Sequence, residues 1–350
     1  MKSGRPWGIR ADGTKDATQF RLHTNHLKLH STSGPIHTSF NDYWLPVEEN
    51  FVKAAYKTTG TKNTLTDARS GDHLGFYSSL GTVDRIENPG TRSYAATGFL
   101  KPNLGRPNLK ILTEALATKV FLDGNTEKGV EFTYKGNMYQ VWATQEVILS
   151  AGVIQTPQLL ELSGIGNPEI LSNAGVECVV ENKSVGTNFQ NHVLTGMVYN
   201  LVDSIESLDA FQNPEYAAVQ QQIYDSTHKG PYGSPTLCIG FLSYASLVTP
   251  EELDATIAEI KRNSQAKTSF EKAQEKIIVD QLRDPKFANL QAFCVPCNVD
   301  ITAGADQVKF FSPPPQGKNR LSLGIALEHP LSHGTVHISS KDPTKPPVIL

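Results

Sequence analysis

Glu146-Val-Ile-Leu-Ser-Ala-Gly152-Val-Ile-Gln-Thr156-Pro-Gln-Leu-Leu-Glu-Leu-Ser163-Gly-Ile-Gly166 is the stretch whose reading decides the fold. Glu146–Leu149 reads as a short apolar strand, and Ser150-Ala151-Gly152 breaks it. Thr156-Pro157 then starts a helix: the hydroxyl can accept a backbone N–H, and proline at the first helical position loses nothing. Gly164 and Gly166 stop it. The pattern is therefore strand, small-residue turn, helix and tight glycine loop. Small residues at a strand's end let the backbone approach a flat or phosphorylated ligand closely. Crevices at strand ends are where α/β sheets bind ligands. An ordinary turn between strand and helix accounts for the same pattern, so the geometry alone names no ligand.

Upstream, the apolar period changes. Ala117–Leu122, Gly129–Tyr134 and Met138–Ala143 are rich in β-branched and aromatic residues, and Asp123-Gly124-Asn125 and Lys135-Gly136-Asn137 separate them as turns. The reading is a three-stranded meander. Pro46 to Gly60 reads as a helix, with Val47, Phe51 and Ala55 recurring every fourth residue. Residues 1–45 are polar and loop-like, broken at Gly34-Pro35. Downstream, Asn167-Pro168-Glu169 starts another helix and Gly175 ends it. From about residue 192, short apolar runs alternate with loops. Thr249 and Glu252 have the spacing of a capping box at the head of one long helical stretch, with Leu253, Ile257 and Ile260 on one face, that fades before Pro285. Ser312-Pro-Pro-Pro-Gln-Gly is a rigid loop, and Gly334 to Ile349 alternates like a strand before an extended prolyl segment.

Composition bounds the function. At 350 residues two domains are expected, and 39% hydrophobic with 19% charged residues describes a globular chain. A formal net charge of −3 with no long basic block argues against nucleic acid as the main partner. No apolar run reaches the roughly 18 residues of a membrane span. Met1-Lys-Ser-Gly-Arg-Pro-Trp7 lacks the apolar stretch of a secretory signal, and Cys178, Cys238, Cys294 and Cys297 are too few for a disulfide scaffold. The compartment and the oligomeric state stay open.

The letters of the opening stretch are less generic than its pattern. Gly152, Thr156, Pro157, Leu159, Leu160, Ser163, Gly164, Ile165 and Gly166 match the second signature of the glucose–methanol–choline oxidoreductases, with Val153 in place of a usual small residue. Arg92-Ser-Tyr-Ala-Ala-Thr-Gly-Phe-Leu100 and Arg106-Pro-Asn-Leu-Lys-Ile-Leu-Thr113 resemble the segment before that family's meander. Val185-Gly-Thr-Asn-Phe-Gln-Asn-His192 resembles its closing motif, with Asn191 where aspartate is usual. The run from His329 to Pro343 resembles the return into the flavin domain, with His333 replacing a common arginine. Five segments in the family's order span most of the chain and resemble most its fungal, aryl-alcohol-oxidase-like members.

The resemblance implies an α/β fold: a Rossmann-type domain with an inserted meander that holds FAD, and a substrate domain on an antiparallel sheet. Residues 1–191, with substrate-side loops at the start, would form a partial FAD-binding domain. Residues 192–333 would form the substrate domain, and 334–350 the start of the return. By position, Ala117 falls where the family sets main-chain atoms against the adenine, and Ala151 and Gly152 fall beside the dinucleotide. Ala117 reads equally as an ordinary strand residue. The implied reaction is FAD-dependent oxidation of a CH–OH group to a carbonyl, with oxygen or a quinone as acceptor and a small-molecule alcohol as substrate. Such chemistry needs a base, commonly histidine, and a hydride acceptor. By the resemblance, the catalytic histidine lies beyond residue 350 and the Gly-x-Gly-x-x-Gly loop precedes residue 1. A partial chain, inactive alone, is therefore expected, with His192, His329, His333 and His337 structural or at the surface. The other reading is a non-catalytic remnant or binding module of the same fold.

Three further patterns compete. Cys294-Val-Pro-Cys297 has dithiol or half-zinc spacing, but no second ligand pair joins it. His23, His26 and His30, with His37 nearby, lack a carboxylate or cysteine at a useful distance. No metal is expected. Asn182-Lys-Ser184 fits a glycosylation sequon, relevant only to a secreted protein. The Glu/Lys-rich stretch 251–284 reads as a solvated amphipathic helix.

Overall fold

A computed structural model describes residues 7–8, 32–39, 41–61, 71, 73–78, 80–234, 238–304 and 306–350. His23, His26 and His30 lie outside them, as does most of the segment read as an N-terminal loop. In chain order the strands begin with β1 (Trp7–Gly8), β2 (Thr32–Ser33), β3 (Gly75–Ser78), β4 (Val83–Asp84) and β5 (Thr91–Arg92). There follow β6 (Ala115–Asp123), β7 (Thr126–Tyr134), β8 (Asn137–Trp142), β9 (Ile165–Gly166), β10 (Val180–Glu181) and β11 (Val193–Asn200). The last are β12 (Cys238–Leu242), β13 (Leu290–Val295), β14 (Arg320–Leu327), β15 (Val336–His337) and β16 (Val348–Ile349). The helices are α1 (Pro46–Thr59), α2 (Gly152–Leu162), α3 (Pro168–Asn173), α4 (Pro214–Thr227), α5 (Pro250–Arg262), α6 (Ser269–Arg283) and α7 (Gln307–Phe310).

The chain divides into two compact units: residues 1–106 with 192–329, and residues 107–191 with 330–350. Residues 1–106 are thus parted from 107–191, with which the sequence reading grouped them. The reason is packing. In the first unit an antiparallel sheet runs β11-β14-β13-β12. Phe76 of β3 and Leu242 and Ala292 of the sheet form a buried cluster, against which Phe51, Val52, Ala55 and Tyr56 of α1 pack. Gly240 makes room for this: a Cβ there would lie 2.3 Å from the Phe76 ring. The Phe51 and Tyr56 rings meet Phe76 edge-on, each with centroids 5.8 Å apart. α1 ends at Gly60, whose φ of 65° is the left-handed cap that glycine adopts without strain.

The second unit holds the meander, in order β6-β7-β8. Its turns fall at Gly124 and Gly136, both at positive φ. A small core of Leu162, Leu171, Ala174 and Ile338 joins α2 and α3 to the returning segment. Asn167 caps α3 by accepting the Glu169 N–H at 3.1 Å.

Some expectations need correction. Residues 146–149 form no strand, because no described strand lies alongside to pair with them, and Ile148 is 75% exposed. The helix after them starts at Gly152 rather than Thr156, so Pro157 lies inside it. The stretch read as one long helix is two, α5 and α6, each opened by its own capping box, at Thr249 and Thr268. α4 was not foreseen, although Asn213-Pro214-Glu215 carries the same start signal as Asn167-Pro168-Glu169.

Candidate functional site

In the second unit, the letters of the opening stretch do two different jobs. The distal half is structural. Ser163 Oγ accepts the Val120 N–H of β6 at 2.8 Å and donates to the Leu159 carbonyl at 2.5 Å, tying helix to meander. The Gly164 carbonyl accepts N–H groups from Val179 and Val180, and that of Gly166 accepts from Asn182. Gly164 has φ +84°, and a Cβ on it would lie 2.7 Å from the Glu177 carbonyl oxygen. Any side chain here would push the two segments apart.

The proximal half is open. Ala151 precedes α2 and Gly152 is its first residue; both are exposed. Gly152 has φ +87°, with nothing within 4 Å of where a Cβ would stand. Among the described residues no neighbour demands a glycine there, so what the residue supplies is backbone in a conformation that L side chains rarely adopt. The first N–H groups of a helix lack intrahelical acceptors and carry the positive end of its dipole. Ala117 lies on β6 opposite Phe132 and is exposed, beside a register shift between Ala117 and Lys119. All three expected cofactor contacts thus present small residues at exposed backbone of one unit. An anionic or flat ligand could meet such groups, but proton transfer could not start from them.

Glu161, which the sequence reading did not single out, is fully buried. Its Oε1 accepts from His337 Nδ1 at 2.6 Å, and its Oε2 accepts the Ile338 N–H at 2.8 Å. A buried carboxylate is tolerated only when its oxygens are so satisfied. The pair clasps the returning segment onto α2. Gly186 completes the clasp: a Cβ there would lie 2.2 Å from the Val336 carbonyl oxygen and 2.6 Å from His337 Nδ1. Glu161 and His337 are 176 positions apart in sequence, so no local pattern could have revealed the pair.

The other histidines weighed from the sequence also have neighbours. His192 lies 3.8 Å from Glu328, His329 stacks obliquely on Phe287, and His333 Nδ1 donates to the Leu331 carbonyl. The thiols are no more reactive. Burial pushes Cys294 and Cys297 up to about 12, which leaves almost no thiolate near neutrality. Among the described residues no three His, Cys, Asp or Glu side chains group as a metal site. Nor, among them, is any helix long and apolar enough to cross a membrane.

Comparison with known proteins gives this arrangement its context. The family model for GMC oxidoreductase matches residues 16–194, just over half of the chain. The dehydrogenase mpl7 of Monascus purpureus is 38% identical over 337 residues, which cover 92% of this chain and 54% of that protein. Among solved structures, an FAD-dependent oxidoreductase from Chaetomium thermophilum superposes with a TM-score of 0.75 at 24% identity, covering 91% of this chain and 52% of that one. A fungal aryl-alcohol oxidase gives 0.70 at 23% identity, covering 90% and 52%. The chain therefore spans about half the length of the relatives it matches.

Proposed function

The chain belongs to the GMC oxidoreductase family, and on that premise we propose that it contributes the adenine and pyrophosphate side of an FAD site to the oxidation of a small alcohol to its carbonyl. The observation that carries this reading is Gly152: positive φ, first in an eleven-residue helix, with open space where a side chain would stand. That cradle suits a diphosphate, whose charge the helix start favours. Exposed Ala117, on β6, suits a flat ring lying against main-chain atoms. The residues present therefore fit that half of the group.

When bound, FAD supplies the hydride acceptor that alcohol oxidation requires. What this chain's own residues do is bind and orient. Ala151 and Gly152 would hold the dinucleotide through backbone N–H groups, and Ala117 would fix the far end. Ser163 and the Glu161–His337 clasp hold α2 and β6 in place beneath them. His337 is held against Glu161, His333 against the Leu331 carbonyl, His329 against Phe287 and His192 near Glu328, and we assign removal of the hydroxyl proton to none of the four. The substrate we propose is a small-molecule alcohol, with oxygen or a quinone accepting the electrons, as the family membership implies.

The test is turnover. Purified 350-residue chain, supplied with FAD, benzyl alcohol and either oxygen or a quinone, is expected to form no aldehyde above background. General base catalysis is commonly worth about 10²–10⁴-fold. Clear FAD-dependent turnover would overturn the division of roles.

A further inference from the structure

Cys238 of β12 and Cys294 of β13 are direct partners across two antiparallel strands. Each is 2% exposed. Directly opposed residues of such strands have Cα atoms about 4.5–5.5 Å apart, inside the roughly 4.4–6.8 Å that a disulfide spans. The C-x-x-C spacing that drew attention in the sequence is thus not the pairing the fold makes. Cys297 lies past the end of β13 and is less buried, whereas Cys294 faces Cys238. In this structure both are free thiols, and helix α1 closes the pair off from one side: the Cys238 S–H donates to the Glu48 carbonyl at 3.9 Å, and Glu48 is itself fully buried.

We propose that Cys238 and Cys294 form a cross-strand disulfide whose state is set while the first unit folds and is then locked in. Two thiols give up two protons and two electrons as the S–S bond forms. The electrons break the bond of a small-molecule disulfide, such as oxidised glutathione, which takes the protons and leaves as two thiols. Locking follows from burial. Exchange needs a thiolate and access to sulfur, and both are denied once β3 and α1 cover the sheet. Desolvation raises both thiols well above their ordinary value, which works in the same direction. A chain folded under reducing conditions keeps free thiols, and one folded with an oxidant present keeps the bond.

The chain is produced once in a reducing cytoplasm and once in an oxidising compartment. Each sample is then denatured in an alkylating agent and weighed. The first is expected to show four alkylated cysteines and the second two, with one non-reduced peptide joining Cys238 to Cys294. Oxidised glutathione added to the folded, reduced chain is expected to leave all four thiols alkylatable, whereas the same reagent acts at once after denaturation. The Cys238→Ala and Cys294→Ala variants control for chance pairing and should show no bond from the surviving partner. Four free thiols in both preparations, or a bond that instead joins Cys178 or Cys297, would overturn the assignment. Rapid oxidation of the folded, reduced chain would overturn the locking.

Discussion

Asp84 Oδ1 accepts the N–H groups of Ile86 and Glu87, its Oδ2 accepts that of Asn88, and His37 Nδ1 lies 2.9 Å away. Burial alone would raise this carboxyl. The bonds from His37 and from the three N–H groups outweigh it and hold the group down at about 2. A carboxylate depressed by folding stabilises fully above its unfolded value and loses that contribution as pH falls through the folded one. The unfolding free energy of the native chain, read from urea titrations, should therefore fall between about pH 4 and pH 2, by up to about 2 kcal/mol from this residue. Asp84→Asn should be less stable near neutrality by about 1–3 kcal/mol and should show a shallower loss over that window. Equal pH slopes for the two proteins would contradict the assignment. Glu161→Ala strands His337 and the Ile338 N–H in a buried place, and we expect a loss of about 3–5 kcal/mol by chemical denaturation. A loss below about 1 kcal/mol would mean that the clasp contributes little.

At the scale of elements, legibility followed locality. α1, α3 and α5 were readable because their start signals are single residues beside their own first turns: Pro46, Asn167 and Thr249. The meander was readable because alternation and turn glycines lie within about thirty residues. Residues 146–149 misled because a strand is defined by its neighbour, which apolar letters cannot supply. α4 escaped notice for a different reason. It has no buried residue, so no apolar stripe accompanies its Asn213 cap. The cofactor positions came through resemblance, and their openness came only from coordinates. The seam between β6 and α2 gives a test of the signature's structural half. Ser163→Ala leaves the buried Val120 N–H without its acceptor and should cost about 1–3 kcal/mol. Hydrogen exchange should then quicken at Val120 more than at β8. Unchanged exchange at Val120 would contradict the bond's role.

At the scale of the whole molecule, the second unit exposes large apolar side chains: Ile148 at 75%, Val153 at 68% and Leu350 at 83%. Exposed apolar surface, where it is contiguous, marks contact surfaces or association liabilities. The purified chain should bind a hydrophobic reporter dye and self-associate with rising concentration, and Ile148→Lys with Val153→Lys should reduce both. Behaviour identical to the native chain would show that these side chains drive neither. Elemental analysis should find no zinc; about one zinc per chain would refute the reading of Cys294 and Cys297, since a structural site uses four protein ligands. The central claim is that backbone at the start of α2 receives the dinucleotide. Its most direct test is titration of the chain with FAD, followed by flavin fluorescence, for the native protein and for Gly152→Val. Weak, saturable binding to the native chain is expected, with at least about tenfold weaker binding to the variant, a factor that corresponds to about 1.4 kcal/mol. Saturable binding of equal strength in both proteins would contradict it.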